Sequence, residues 1–378
     1  MVSSAPPDQR LVQEVGSRRV DRALLRLAPK AEMLSAYPKA AEIPGHVQEA
    51  MLQGLTTYEI PPGSGLSELR ECLGYLMGVD SPTARVENVT VTAGAMSAIH
   101  TLWISIASNG GQVVVPTPSY FVEGSIRLAG LVPRAIRAVD SVSWDWEAIE
   151  AAFNATTVGC FFSNPNNPTG ACFGKEDVEQ LAECAGRHPE VLFVVDESYE
   201  RIVYEPGHHM TSWALSDTTR NLAVVRSFSK SFALPQIRIG WVVAHAEISA
   251  HLSMILEWHQ LFGAGPNQRA AWSVLTHGQD WLESAFETFH RNRGSITSLL
   301  RRIPGVAAPT PSGGPFVYVD VADVPAQSLD FDEIWRHGVP AVPGPSFGGT
   351  DTEMRIPFGG DADLIASSVR SFADWLRN

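Results

Sequence analysis

The sequence predicts an α/β fold: a large domain built on a mostly parallel sheet between helices, followed by a smaller α+β unit. Three observations predict it. Short apolar runs alternate with helix-length amphipathic stretches from about residue 88 to about residue 245, the rhythm of strand–helix–strand units. Loop motifs rich in glycine and polar residues follow directly on several of those runs, the place where open α/β sheets bind ligands. Beyond them a long amphipathic stretch, 281–302, leads into a second set of elements.

Taken in order, the runs Val89–Thr92, Gln112–Val115, Val158–Phe162, Val191–Val195, Leu222–Arg226 and Ile239–Ala244 read as strands. Most are too apolar to face water, as expected of parallel strands covered on both faces. Met96–Ala107 and Lys175–Ala185 read as helices between them, the second with Glu176 and Asp177 near its start, where the helix dipole favours negative charge. Trp281–Arg302 reads as one helix bridging to the second unit, which holds Phe316–Val321 and a closing helix near Asp363–Leu376. The 378 residues exceed one small core, and no repeat or low-complexity linker separates the two units, so they are expected to pack together.

Composition narrows the function. With 44% hydrophobic and 18% charged residues the chain can bury a sizeable core. Its net charge of -13 excludes a general nucleic-acid or anionic-membrane surface, since either partner would be repelled at long range. Cys72, Cys160, Cys172 and Cys184 form no C-x-x-C pair, so reduced, buried thiols and no metal centre are expected. The first thirty residues carry Arg10, Arg18, Arg19, Asp21 and Arg22, and no apolar run spans a bilayer; a cytoplasmic protein is expected. Gly63-Ser-Gly65 begins like a dinucleotide fingerprint, but Glu68 stands at the third glycine's place and no strand precedes it, which argues against a nicotinamide enzyme.

The chemistry lies in five motifs: TAGAMSA at 92–98, PSY at 118–120, NPNNPTG at 164–170, DESY at 196–199 and SFSKSFALPQIRIG at 227–240. In the first, a strand ends at Thr92, the chain turns at Gly94, and a helix opens at Ala95 and Met96 with free N–H groups, a cradle for phosphate. Ser227 adds a hydroxyl and Arg238 a two-pronged guanidinium. Pro235 interrupts any continuous helix between Lys230 and Arg238, so a loop can turn both inward. Only four lysines occur, Lys30, Lys39, Lys175 and Lys230, and Lys230 beside Arg238 suits an amine nucleophile for an aldehyde. Asp196, ending a buried strand, suits protonation of a pyridine nitrogen used as an electron sink. Asn167 and Tyr199 offer an amide and a phenol to a ring oxygen.

The motifs, their order and their separations resemble the fold type I aminotransferases of class I and II over nearly the whole chain. The resemblance implies a large domain, 45–280, whose seven-stranded, mostly parallel sheet binds pyridoxal 5'-phosphate, with 1–44 and 281–378 forming a small domain with an N-terminal arm. It implies Lys230 as the Schiff-base lysine, Asp196 at the pyridine nitrogen, and Tyr199 and Asn167 at the ring oxygen. Tyr120 would stack on the ring, and Ala95, Met96, Ser227 and Arg238 would hold the phosphate. Tyr58, in TTYEIPPGSGLSELR, resembles the tyrosine that reaches the neighbouring subunit's phosphate, which implies a homodimer with shared active sites. Arg355, in EMRIPFG, resembles the arginine that grips the substrate α-carboxylate. Lys230 would then also move the α-proton in a ping-pong exchange between an amino acid and a 2-oxo acid.

The same cofactor supports elimination, decarboxylation or oxidase chemistry, which fold alone does not separate from transamination. A non-catalytic sensor fused to a DNA reader is disfavoured by the intact lysine and the absence of a basic N-terminal helix-turn-helix segment. No lysine or arginine lies between Ile239 and Gln268, and Met96 is neutral, so a dicarboxylate donor is not expected. Trp258, His259 and Phe262 suggest a pocket for an apolar or aromatic side chain. Gln236 and the stretch LLRLAPKAEML depart from the family pattern, which points to a different lid.

Overall fold

The computed structural model describes residues 42–57, 60–78, 85–140, 143–205, 207, 209–214, 219–324, 329–336 and 339–377. Tyr58 and the LLRLAPKAEML stretch lie outside these residues.

The large sheet is seven-stranded: β1 (Val89–Thr92), β2 (Gln112–Thr117), β3 (Val132–Arg137), β4 (Thr157–Ser163), β5 (Leu192–Asp196), β6 (Leu222–Ser227) and β7 (Gly240–Ala244). Their spatial order is β1-β7-β6-β5-β4-β2-β3. Pairings from β3 through β2, β4 and β5 to β6 are parallel, while β7 runs antiparallel to both β6 and β1. Six of the strands fall where apolar runs predict them, within two residues at each end; the antiparallel sense of β7 is what no periodicity reveals. The seventh, β3, has no apolar run: its sequence VPRAIR carries Pro133 and two arginines because it is an edge strand with much of its surface open.

Two cores clothe the sheet, and alternation along each strand divides the side chains between them. Cys160 and Phe162 of β4 point with Phe193, Val195 and Trp241 into one. Phe161 points with Val113, Val194 and Val242 into the other, against the helix Ala95–Ile106. The first core is the larger, continuing without a break into Phe289, Leu300, Phe316, Ile356 and Phe372.

Those last residues belong to the smaller unit. Its long helix, Gln279–Leu300, packs on the closing helix Ala362–Arg377. A three-stranded antiparallel sheet, order β8-β10-β9, combines β8 (Phe316–Asp320), β9 (Val342–Pro343) and β10 (Glu353–Pro357). The small sheet presents Arg355 toward the carboxyl edge of the large one, where β2, β4, β5 and β6 all end.

Candidate active site

The strand ends at that edge converge on one pocket. Its walls include every described residue expected to hold the cofactor, carry the chemistry or bind the α-carboxylate: Ala95, Met96, Tyr120, Asn167, Asp196, Tyr199, Ser227, Lys230, Arg238 and Arg355. Four further residues, Phe121, Ser163, Ser198 and Ser229, complete it.

One end of the pocket is cationic and rich in donors. After Thr92 the chain turns through Gly94 at φ 87 and ψ 164, a region essentially closed to other residues. The helix then starts, and its first intrahelical bonds are those from Ser97 and Ala98 to the Gly94 carbonyl. The N–H groups of Ala95 and Met96 precede them at the open helix end, where an anion is favoured. A Cβ on Gly94 would collide with the Arg238 guanidinium, and one on Gly240 would lie 2.7 Å from the Ala95 nitrogen. Both glycines therefore keep the cradle open.

Arg238 reaches this end as sequence spacing predicts, by a broken path. The helix Phe228–Ser231 stops, Pro235 starts a short 3-10 turn, and Arg238 itself takes a left-handed conformation at φ 50. Its Nη1 donates to Ser229 Oγ at 2.9 Å and to the Pro235 carbonyl at 2.9 Å. Ser227 Oγ accepts from Ser229 N–H at 3.1 Å, which leaves its hydroxyl proton available to an anion. Ser229 sits in the same motif, one residue before the lysine, and its position there is the sequence signal for it.

The floor is Asp196, buried at the end of β5. Its Oδ1 accepts from the Ser198 N–H at 2.9 Å and from the Ser198 hydroxyl at 2.5 Å. Burial pushes its carboxyl up to about 6, against the pull of those two bonds and of Lys230. The Asp-x-Ser spacing of DESY was the available signal for Ser198, since such side chains bond backbone two residues on. Glu197 turns the other way, into the core. Burial there is outweighed by Arg226, which donates to it at 2.9 Å, and by the Ser212 N–H at 2.6 Å, so its carboxyl stays below the usual range.

Lys230 Nζ lies 5.5 Å from the Tyr199 ring centroid, and Tyr199 meets Phe316 of the small sheet edge-on at 5.3 Å. Asn167 is held by its N–H to Ser163 Oγ at 3.1 Å, and its side-chain oxygen accepts from Arg355 Nη1 at 2.8 Å. The Arg355 guanidinium lies between the Phe347 and Phe316 rings, 5.1 and 5.4 Å from their centroids. Trp258, His259 and Phe262 do not line this pocket: Trp258 is 91% exposed, and His259 stacks on His100. Phe121, between Tyr120 at 4.8 Å and Phe347 at 5.0 Å, is the aromatic wall instead. It adjoins the PSY motif, but nothing in the sequence set it apart from a core phenylalanine.

This arrangement suits a ligand with an anionic end, a ring nitrogen that is protonated when bound, and a carbonyl within reach of an amine. Outside it, Glu150, Cys184 and His188 bring potential metal ligands within 4.8 Å of one another. Arg187 engages both oxygens of Glu150, at 2.7 and 2.8 Å, and burial pushes the Cys184 thiol up to about 12; the cluster reads as an ion-pair knot.

Comparison with known proteins points the same way. The aspartate aminotransferase of Bacillus sp. strain YM-2 is 27% identical over 335 residues, 85% of this chain and 84% of that protein. The arginine–pyruvate transaminase of Pseudomonas aeruginosa is 31% identical over 268 residues, 69% of this chain and 67% of its own. Among solved structures, an aspartate aminotransferase from Thermus thermophilus with maleate superposes with a TM-score of 0.87 at 25% identity, covering 98% of this chain and all of that one. Residues 34–372 match the family described as aminotransferase class I and II. The chain belongs to that family, and is a fold type I, pyridoxal-phosphate-dependent enzyme that transfers amino groups between amino acids and keto acids.

Proposed function

We propose that Lys230 is the residue that bonds the cofactor aldehyde and moves the substrate's α-proton, with Asp196 holding the ring nitrogen protonated. The observation that carries this reading is Asp196 itself, a buried carboxylate at a strand end, fixed by Ser198 and facing the pocket that Lys230 lines. When bound, pyridoxal 5'-phosphate supplies the aldehyde and the ring that accepts the electrons left by the departing proton. Ala95 and Met96 N–H, Ser227, Ser229 and Arg238 bind its phosphate. Asn167 and Tyr199 donate to its ring oxygen, and Tyr120 covers its face. Arg355 takes the substrate α-carboxylate through two parallel N–H bonds, its plane held by Phe316 and Phe347. Lys230, the one primary amine of the pocket lining, removes the α-proton and returns it on the cofactor side as general base and acid.

The donor is proposed to be an amino acid with an apolar or aromatic side chain. Relatives named for aspartate and for arginine both occur, so the pocket is the better guide. Its three cations, Lys230, Arg238 and Arg355, all have other duties, Met96 is neutral, and Phe121 offers an apolar wall. Phenylalanine or leucine is expected to exceed aspartate in kcat/KM by about tenfold, since one unpaired charge in an apolar pocket costs at least ~1.4 kcal/mol. Keto-acid release measured across a panel of amino acids tests it; a preference for aspartate would overturn the donor assignment. Borohydride reduction of the loaded enzyme should add the cofactor's mass to the Lys230 peptide. Lys230→Ala should lose both that adduct and roughly 10⁴-fold in kcat.

A cytoplasmic homodimer is proposed as the working form. Among the described residues no helix is long and apolar enough to cross a membrane. The four cysteines are unbridged, as in a reducing compartment. Leu52, Leu55, Ile60, Trp258 and Leu261 are 62%, 65%, 66%, 91% and 67% exposed. They come from neighbouring elements, since the helix Gly45–Thr56 packs on Gly265–His277 and Gly63 adjoins Glu257. An apolar face of that kind marks an association surface. Tyr58 lies in sequence between Leu55 and Ile60, and is proposed to reach the partner's phosphate site from there.

A further inference from the structure

We propose that Glu353, clasped by Arg137, is a positioning residue for the substrate carboxylate: it locks the small sheet onto the edge of the large one so that Arg355 meets the pocket in a fixed pose. The inference rests on the reading of Arg355 as the carboxylate arm.

Glu353 and Arg355 stand two residues apart on β10 and so share a face. Tyr318 of β8 is the Cα partner of Arg355 and points to that face as well. Glu353 is knit to Tyr318 and to the large domain. Arg137, at the carboxyl end of β3, grips both oxygens of Glu353, Nη1 to Oε2 at 2.9 Å and Nη2 to Oε1 at 2.5 Å. Tyr318 donates its hydroxyl to Oε2 at 3.1 Å, and the Thr350 N–H donates to the same oxygen at 2.6 Å. A Cβ on Gly349 would sit 2.5 Å from Oε2, so the loop closes tightly over the carboxylate.

The clasp is carried through to Arg355 by Phe347. That ring meets Tyr318 edge-on at 6.3 Å and lies 5.1 Å from the Arg355 guanidinium. Its carbonyl also accepts from Ser119 N–H at 2.9 Å, beside Tyr120 in the large domain. A side chain 8% exposed with four donors is an expensive arrangement for a surface ion pair, while Arg137 is half exposed. Burial would raise the Glu353 carboxyl, yet Arg137 and the Thr350 N–H hold it below the usual range, so it stays charged. Edge strand β3 thus gains a use for its second arginine: it is the large sheet's handle on the substrate arm. Bidentate geometry matters, because a misplacement of about 1 Å at a binding arm can cost a hundredfold.

The test uses the loaded full-length enzyme and two readouts, steady-state kinetics and calorimetric binding of 3-phenylpropanoate, a carboxylate that cannot react. Arg137→Ala is expected to raise KM for both the amino acid and the keto acid about tenfold and to weaken 3-phenylpropanoate by a similar factor. Its kcat and its affinity for pyridoxal phosphate should stay within about twofold, the signature of lost uniform binding. Arg137→Lys, which retains the charge but not the two-armed grip, should fall between and serves if the alanine variant does not fold. An unchanged dissociation constant for 3-phenylpropanoate in these variants, or an equal loss in kcat and cofactor affinity, would overturn the proposal. Arg355→Ala separates the two claims: if it fails to weaken 3-phenylpropanoate, the reading of Arg355 itself is wrong. If it weakens binding and the Arg137 variants do not, only the clasp is wrong.

Discussion

Asp196 and Glu197 are neighbours in sequence, both buried, and their carboxyls are driven in opposite directions. Asp196 faces the pocket with a single serine bonding it, so burial dominates and its carboxyl rises to about 6. Its contribution to folding is therefore present below its ordinary value of 3.8 and is lost as pH rises through about 6. Glu197 is the reverse: its stabilisation is present above 4.5 and is lost as pH falls through its depressed value. In cofactor-free protein, Asp196→Asn should flatten the decline in stability between about pH 4 and 6 and add on the order of 2–3 kcal/mol at pH 7. Urea unfolding across that range reads it directly. The same variant should bind cofactor at least tenfold more weakly, because the partner of the ring nitrogen is gone. Glu197→Gln should instead destabilise by about 3–5 kcal/mol, leaving Arg226 buried without its carboxylate. A destabilised Asp196→Asn beside an unaffected Glu197→Gln would reverse the assignment of which acid serves the site.

The element on which the site most depends is the turn from β1 into the helix Ala95–Ile106. Gly94→Ala places a Cβ both in a strained backbone region and against the Arg238 guanidinium. It should lower stability by about 1–3 kcal/mol. Cofactor affinity, followed by absorbance titration, should fall by at least tenfold, whereas Gly186→Ala, in a helix with open space around its Cβ, should leave affinity unchanged and add up to about 1 kcal/mol of stability. This turn was legible because its constraints are local: a strand end, a glycine and a helix start occupy consecutive positions. So were the six apolar strands, whose side chains are covered on both faces. The edge strand β3 was not, since an open face admits Pro133, Arg134 and Arg137 and erases the apolar signal. Nor was the small sheet beyond Phe316–Val321: β9 is two residues long, and β10 contains Glu353 and Arg355, whose large-domain partners Arg137 and Asn167 lie more than 180 residues away in sequence. Phe121 was illegible for the same reason, its place in the pocket being decided by Phe347 of the distant unit.

At the scale of the whole molecule, the core that begins under the large sheet runs on into the small unit, so the expected packing of the two without a flexible joint is seen in the buried side chains themselves. Leu52, Leu55, Ile60, Trp258 and Leu261 are among the large apolar side chains left exposed, and the proposed dimer would cover them. Fully covering one such side chain is worth about 1.5–3 kcal/mol. If five on each of two symmetric copies were covered, the gain would exceed the cost of association for a twofold dimer. Sedimentation of the native protein at about 10 µM should therefore report a dimer. Leu52→Asp with Trp258→Arg should report a monomer, with far-ultraviolet circular dichroism little changed because both side chains are exposed within the protomer. If Tyr58 completes the partner's phosphate site, that monomer should also release pyridoxal phosphate at least tenfold more readily than the dimer, although no residue of its own pocket has been altered. A monomeric native protein, or a charged variant that remains dimeric with full cofactor affinity, would remove this face from the functional assembly.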